Sequence, residues 1–426
     1  MTIAVFIFSL LGAMAIGMPI AYALIICGVA LMTYLGIYDS QIIAQNVING
    51  VDSFPLMAVP FFILAGEVMN TGGLAKRILN FAIALVGHLR GGLGYVAILT
   101  SCILASLSGS AVADAAALAS LLVPMMAAAG HNRASAAGLV AAGGIIAPVI
   151  PPSIGFVIFG VAGGVSISKL FLAGVFPGLM LGVGLCFAWR WVVRKENTVS
   201  PPRQSIREVW RALIDGFWAL MLPMIIIVGL RFGIFTPTEA AVVVAVYSLF
   251  VAMVIYRELK PSQLPALLVG TAQTTAVVMF LVAAALVSSW LITVAEISSQ
   301  IVDLVRPFMG NQTILMIVLM IIVVIVGTAL DMTPTILILT PVLMPIVREA
   351  GIDPVYFGVL FIINNAIGLI TPPVGVVLNV VSGVTKVSMD DLMRGVWPFM
   401  AAQLVVLALL TLFPVLVTAP AKWLGG

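Results

Sequence analysis

Ala147-Pro148-Val149-Ile150-Pro151-Pro152-Ser153 is an apolar run broken by three prolines, and Gly368-Leu369-Ile370-Thr371-Pro372-Pro373-Val374 breaks a second run 221 residues later. Proline donates no backbone hydrogen bond and clashes with the preceding turn, so no continuous α-helix passes through either stretch. The surrounding sequence is apolar enough for a bilayer, where an unpaired carbonyl costs several kcal/mol. Broken backbone at that depth persists only where protein, a cavity or a bound cation satisfies it. The same offset joins Gly130 to Gly351, Gly174 to Gly395, Val175 to Val396 and Pro177 to Pro398. Nearer each start, Gly17-Met18-Pro19 resembles Phe235-Thr236-Pro237 at an offset of 218, which implies a small insertion or deletion between two blocks. A duplicated membrane protein with a break in each half is the pattern of secondary transporters whose repeats bracket a midplane site.

Composition supports a membrane setting. Of 426 residues 62% are hydrophobic and 8% charged, against roughly 45–50% and about 25% in soluble domains. Charge-free runs cover residues 2–38, 91–113, 134–168, 170–189, 261–295, 307–330, 355–385 and 395–421. Each reaches or exceeds the roughly 20 residues a helix needs to cross a bilayer, and together they suggest about ten to twelve spans. The first run is too long for a signal peptide and has no basic leader, so it reads as a retained membrane helix.

Between the halves lies the one extended polar segment, RWVVRKENTVSPPRQSIREVWR at 190–211, with six basic residues against Glu196 and Glu208. The positive-inside rule places it in the cytoplasm. Residues 205–214 put Ile206, Val209, Trp210 and Leu213 on one helical face, which predicts a short interfacial helix. The expected organisation is a first repeat at 1–189, a linker at 190–215 and a second repeat at 216–426.

About forty residues before each break stands a second matched segment, Ser106-Leu107-Ser108-Gly109-Ser110 and Gly327-Thr328-Ala329-Leu330-Asp331. Glycine and small hydroxyl residues let backbone approach a ligand closely, so these read as tips of re-entrant hairpins. A tip facing the break of its own half forms an oxygen cage for a small hard cation. Sodium suits it, because no carboxylate cluster of the kind divalent ions favour is present. Among intramembrane acids, Asp331 matches Ser110 in position and is the favoured functional group. Asp114 either serves the site or caps the following helix, while Glu67 and Glu239 are expected at interfaces. Asn364 and Asn365 either contact a solute or bond neighbouring helices.

Other classes are disfavoured. No basic patch suits nucleic acid, and Cys27, Cys102 and Cys186 sit alone in apolar runs. Gly174, Gly178 and Gly182 fit close helix packing, and His88 and His131 read as loop histidines. There is no phosphate-binding loop for nucleotide hydrolysis, nor a protease arrangement. Energy from an ion gradient remains, and no enzymatic activity or cofactor is expected.

The stretch from Asp331-Met332-Thr333-Pro334-Thr335 through Thr340-Pro341-Val342-Leu343-Met344-Pro345, Gly351-Ile352-Asp353-Pro354 and residues 368–375 closely resembles the large membrane subunit of tripartite ATP-independent periplasmic (TRAP) transporters. So does Leu107-Ser108-Gly109-Ser110-Ala111-Val112-Ala113-Asp114 with the motif at 148–153, and the resemblance spans essentially the whole chain. It implies an all-α polytopic protein of the bacterial inner membrane, with inverted repeats, two re-entrant hairpins and broken helices. It further implies an elevator-type member of the ion transporter superfamily that imports organic acids with sodium. The implied partners are a small four-helix membrane subunit, not fused here, and a soluble periplasmic substrate-binding protein.

By the same resemblance, one sodium site maps onto Ser106, Ser108, Ala147, Ile150 and Pro152, and the other onto Gly327, Ala329, Gly368, Thr371 and Pro373, many through main-chain carbonyls. The substrate, a small carboxylate, maps onto Ser110, Ser153, Asp331 and Asn365. Sugar acids, four-carbon dicarboxylates and sialic acid all remain open as solutes. The alternative reading is a stand-alone ion-coupled carboxylate permease.

Overall fold

In the computed structural model the described residues are 2–194, 196, 202–372 and 374–425. They form helices joined by short turns, with no strand among them. The first half runs α1 (Thr2–Ala15), α2 (Ile20–Leu35), α3 (Ser40–Val51), α4 (Ala58–Thr71), α5 (Leu74–Val86), α6 (Gly92–Ser108), α7 (Ala111–Ala128), α8 (Arg133–Gly144), α9 (Ile154–Gly163) and α10 (Ile167–Val193). The second runs α11 (Ile206–Arg231), α12 (Pro237–Phe250), α13 (Leu264–Val294), α14 (Ile297–Val305), α15 (Gln312–Ala329), α16 (Met332–Glu349), α17 (Pro354–Gly368), α18 (Val376–Thr385), α19 (Met389–Leu412) and α20 (Val415–Gly425).

The 221-residue offset holds at the level of helix ends. It carries Ala111 and Ala128 of α7 onto Met332 and Glu349 of α16, and Arg133 of α8 onto Pro354 of α17. The caps repeat as well. Asn132 accepts from the amides of Ala134 and Ser135, and Asp353, 221 residues on, accepts from Val355 and Tyr356. Each side chain satisfies orphan donors that a helix start leaves unpaired. Ser110 and Asp331, again 221 apart, are the residues from which α7 and α16 start.

Among the described residues nine helices are long and apolar enough to cross a membrane, fewer than the charge-free runs suggested. The reason is the breaks. Residues 2–38 divide at Gly17–Pro19 into helices of 14 and 16 residues. Residues 134–168 divide into α8 and α9 of 12 and 10 residues, and 355–385 into α17 and α18 of 15 and 10. The expected short interfacial helix at 205–214 is corrected too. It is the start of α11, a single 26-residue helix opened by a capping box in which Ser205 and Glu208 bond reciprocally. Gly216 and Pro223 fall inside this helix without ending it.

Helices α6–α10 and α15–α19 form an inner bundle in which the halves interlock: α8 packs on α19 and α7, α7 on α18, α9 on α16, and α10 on α17 and α19. Polar braces cross between halves. The Arg348 guanidinium donates to the Gly163 carbonyl (2.7 Å) and that of Arg133 to the Thr385 carbonyl (2.5 Å), each at the end of a second broken-helix segment. A cation there bonds an orphan carbonyl and meets the negative end of the helix dipole. Buried Gln403 donates to the Ala142 carbonyl (2.7 Å). Around this bundle, α4 packs on α12 and α13, α5 on α11, and α13 on α2 and α3.

His131 does lie in a turn, but it is buried. Its Nδ1 is 2.7 Å from Glu196, which also accepts from the Asn132 amide, and its ring lies against Trp189. Glu196, just past the end of α10, is thus anchored to the α7–α8 turn.

Candidate functional site

The two tips are built differently. In the first, α6 ends at Gly109 with φ +61°, where L side chains are strained. A Cβ on Gly109 would lie 2.7 Å from the Pro152 carbonyl oxygen and 3.2 Å from the Ile154 amide, so the tip rests on the backbone of its own half's break. Ser108 Oγ donates to Asp114 (2.5 Å) and accepts from the Ser110 amide (3.1 Å), folding the tip on itself. Ser110, not Asp114, caps α7, its Oγ accepting from the Ala113 amide. Ser106 Oγ turns back to the Ile103 carbonyl.

In the second half α15 ends against α17. A Cβ on Gly368 would lie 2.7 Å from the Gly327 carbonyl carbon and 2.8 Å from its oxygen, so two glycines let these helices touch backbone to backbone. Asn365 sits fully buried beneath this tip, donating to the Met332 carbonyl (3.2 Å), with Oδ1 unpartnered 2.9 Å from where a Gly327 Cβ would stand. Asn364 donates to the Met320 carbonyl. Thr371 donates to the Ile367 carbonyl (2.7 Å). Ala147, Ile150 and Pro152 are buried at the first break, Ala329 is exposed, and Pro373 lies outside the described residues.

Buried oxygens are normally hydrogen-bonded. One orphan stands behind each tip, Asp114 Oδ2 in the first half and Asn365 Oδ1 in the second. Among the described residues no group of three or more His, Cys, Asp or Glu side chains is placed to hold a metal ion.

Both tips open onto one cavity of about 370 Å³, within the roughly 300–1,000 Å³ usual for small-molecule sites. Residues 108–113 of the first tip and 331–333 of the second line it, with Ile154, Gly155, Leu369 and Val376 from the breaks. Its remaining wall is Ile63, Gly66, Glu67 and Asn70 of α4 and Thr274 and Val278 of α13. Of the four residues assigned to substrate, Ser110 and Asp331 line the cavity and Ser153 and Asn365 do not. Ser153 is fully buried as the cap of α9, donating to Pro148 and accepting from Phe156.

Glu67 is a cavity residue that the sequence reading did not assign to the site. Expected at an interface, it lies one turn before the C-terminal end of α4, exposed and lining the cavity with Asn70 three residues on. The three-residue spacing of Glu67 and Asn70 in a run, Ala58–Thr71, that is otherwise apolar but for Thr71 was the available signal. Glu239, by contrast, forms a capping box with Thr236 at the start of α12.

Comparison with known proteins agrees with this architecture. The family model described as "Tripartite ATP-independent periplasmic transporter, DctM component" matches residues 7–416. The 2,3-diketo-L-gulonate TRAP transporter large permease protein of Escherichia coli is 56% identical over 425 residues, covering all of both chains. The C4-dicarboxylate TRAP transporter large permease protein of Pseudomonas aeruginosa is 39% identical over 374 residues, 88% of each chain. In fold, the chain is similar to the YdaH transporter of Alcanivorax borkumensis, with a TM-score of 0.61 at 13% identity over 87% of each chain. These relatives are transport permeases rather than enzymes. The chain is a multi-pass inner-membrane protein and belongs to the DctM component family of tripartite ATP-independent periplasmic transporters, as a large permease subunit.

Proposed function

We propose that this chain carries a hydroxylated organic acid across the inner membrane with sodium, alongside a small membrane subunit and a periplasmic binding protein that delivers the solute. One observation supports it above all: a single cavity is shared by both hairpin tips, both helix breaks and two helices of the surrounding group. The 56% identity to a permease named for 2,3-diketo-L-gulonate favours a sugar acid.

Sodium would be held in the first half by Ser106, Ser108, Ala147, Ile150 and Pro152, and in the second by Gly327, Ala329, Gly368, Thr371 and Pro373. The physical case is charge balance. The cavity lining has two carboxylates and no Lys, Arg or His, so an anion entering it at membrane depth needs cations from elsewhere. Sodium behind each tip supplies them, and the N-termini of α7 and α16 add partial positive charge.

Movement follows an elevator scheme in this reading. The inner bundle, braced across its halves by Arg133, Arg348 and Gln403, slides as one body past α4 and α13, exposing the cavity alternately. In this reading the repeats meet between α10 and α11.

The test is uptake of labelled 2,3-diketo-L-gulonate into proteoliposomes holding this chain and its small subunit, with binding protein outside. Uptake that collapses when sodium or binding protein is omitted supports the proposal. Sodium-driven uptake without binding protein would instead establish a stand-alone permease, and flux independent of any gradient would refute coupling.

A further inference from the structure

We infer that Glu67 is a selectivity residue of the cavity: it accepts hydrogen bonds from the hydroxyls of a polyhydroxylated monocarboxylate and turns dicarboxylates away. This rests on the cavity being the substrate site proposed above.

Glu67 is the sole charged residue of α4, in a 14-residue helix that is otherwise apolar except for Asn70 and Thr71. A carboxylate on so apolar a helix, here one turn before its C-terminal end, is costly in a membrane protein unless it faces water or a polar cavity. Among the described residues its side chain has no hydrogen-bond or ion-pair partner, and its main-chain carbonyl accepts from the Thr71 hydroxyl. Gly66 beside it packs against Ser108, since a Gly66 Cβ would lie 3.4 Å from the Ser108 Cα. The backbone carrying Glu67 is thereby set at the first tip, while Asp331 lines the cavity from the second.

The chemistry of that lining is lopsided. Glu67 and Asp331 are acceptors when ionised, and Asn70, Ser110, Thr274 and Thr333 add an amide and hydroxyls. A sugar acid offers one carboxylate and several hydroxyl donors, so its carboxylate can lie at a helix N-terminus while its hydroxyls donate to Glu67 and Asp331. Succinate, a four-carbon dicarboxylate without hydroxyls, has a charge at each end, so one end meets a like charge without a donor between them. The size difference between the two ligands is the same in every variant, so a change of preference on substituting Glu67 alone reports charge and donor count at this cavity carboxylate.

The experiment measures binding directly on the purified complex of this chain and its small subunit, without binding protein, so that selectivity belongs to the permease. Tritiated 2,3-diketo-L-gulonate is bound in sodium and competed with the unlabelled compound and with succinate, for wild type, Glu67→Gln and Glu67→Asp. The ratio of the two competition constants within one variant does not depend on how much protein is folded. Wild type should favour the sugar acid by at least about ten-fold, Glu67→Gln should bring the ratio within about three-fold, and Glu67→Asp should keep it near wild type. A Glu67→Gln ratio equal to wild type overturns the inference while leaving the proposed function standing. A wild-type complex that binds neither compound in sodium overturns both.

Discussion

Replacing Gly368 by alanine separates two opposed effects. Alanine in a helix is normally favoured over glycine by about 0.5–1 kcal/mol. Gly383 in α18 shows this unopposed, since a Cβ there meets nothing within 4 Å. At Gly368 the new Cβ would stand 2.7 Å from the carbonyl carbon of Gly327, 2.8 Å from its oxygen and 3.0 Å from its Cα. All three are backbone atoms, with no flexible side chain to swing aside, so α15 and α17 must part. Overpacking costs about 1–3 kcal/mol, and with only backbone opposite the upper part of that range, about 2–3, applies, leaving a net loss of about 1–2 kcal/mol. If the second sodium site lies between these helices, that loss appears as a half-saturating sodium concentration raised about 5–30-fold. The assay is sodium titration of uptake in proteoliposomes, with Gly383→Ala as the control in the same bundle. Wild-type sodium dependence in Gly368→Ala, with thermal stability raised as in Gly383→Ala, would refute the close-contact reasoning.

Other outcomes follow from single contacts. Ser108→Ala removes the hydroxyl donor to buried Asp114 and should cost about 1–3 kcal/mol; the double change with Asp114→Ala should cost less than the two single losses summed, as thermal melts of the purified complex will show. Arg348→Ala frees the Gly163 carbonyl at the end of α9 and should lower stability by about 1 kcal/mol, the guanidinium being partly solvated; an unchanged melting temperature would count against the brace. Glu196→Ala removes the acceptor shared by His131 and the Asn132 amide, so proteolysis of the linker in membranes should quicken while sodium dependence of uptake stays put.

What the residues announced and what they hid have a common physical origin. Pro151-Pro152 and Pro372-Pro373 are visible because proline acts through covalent geometry, independent of the neighbours that fold later. The tips were legible for a similar reason: Gly109 and Gly327 lie where only a small residue lets backbone meet backbone. Direction of a side chain is another matter. Ser153 and Asn365 sit beside the breaks in sequence, yet helix caps and interhelical bonds absorb them, a choice fixed by which carbonyl stands opposite. Glu67 was hidden because α4 lies far in sequence from both tips, and only packing against Ser108 brings it to the cavity. The start of α11 misled because amphipathic periodicity at 205–214 is the same whether the helix stops or runs on, and nothing before Arg231 stops it.

The sliding of the inner bundle against α1–α5 and α11–α14 is most directly tested by pulsed electron-spin distance measurements in lipid nanodiscs. One spin label goes on exposed Tyr22 of α2 and one on exposed Val405 of α19; a control pair places labels on Phe187 of α10 and Val405, two helices packed within the bundle. Between sodium-free and sodium-plus-substrate samples the first pair should change its distance distribution by several ångströms, while the second stays fixed. Distances that hold constant for both pairs in a complex competent for uptake, or that change within the bundle, would contradict the elevator account.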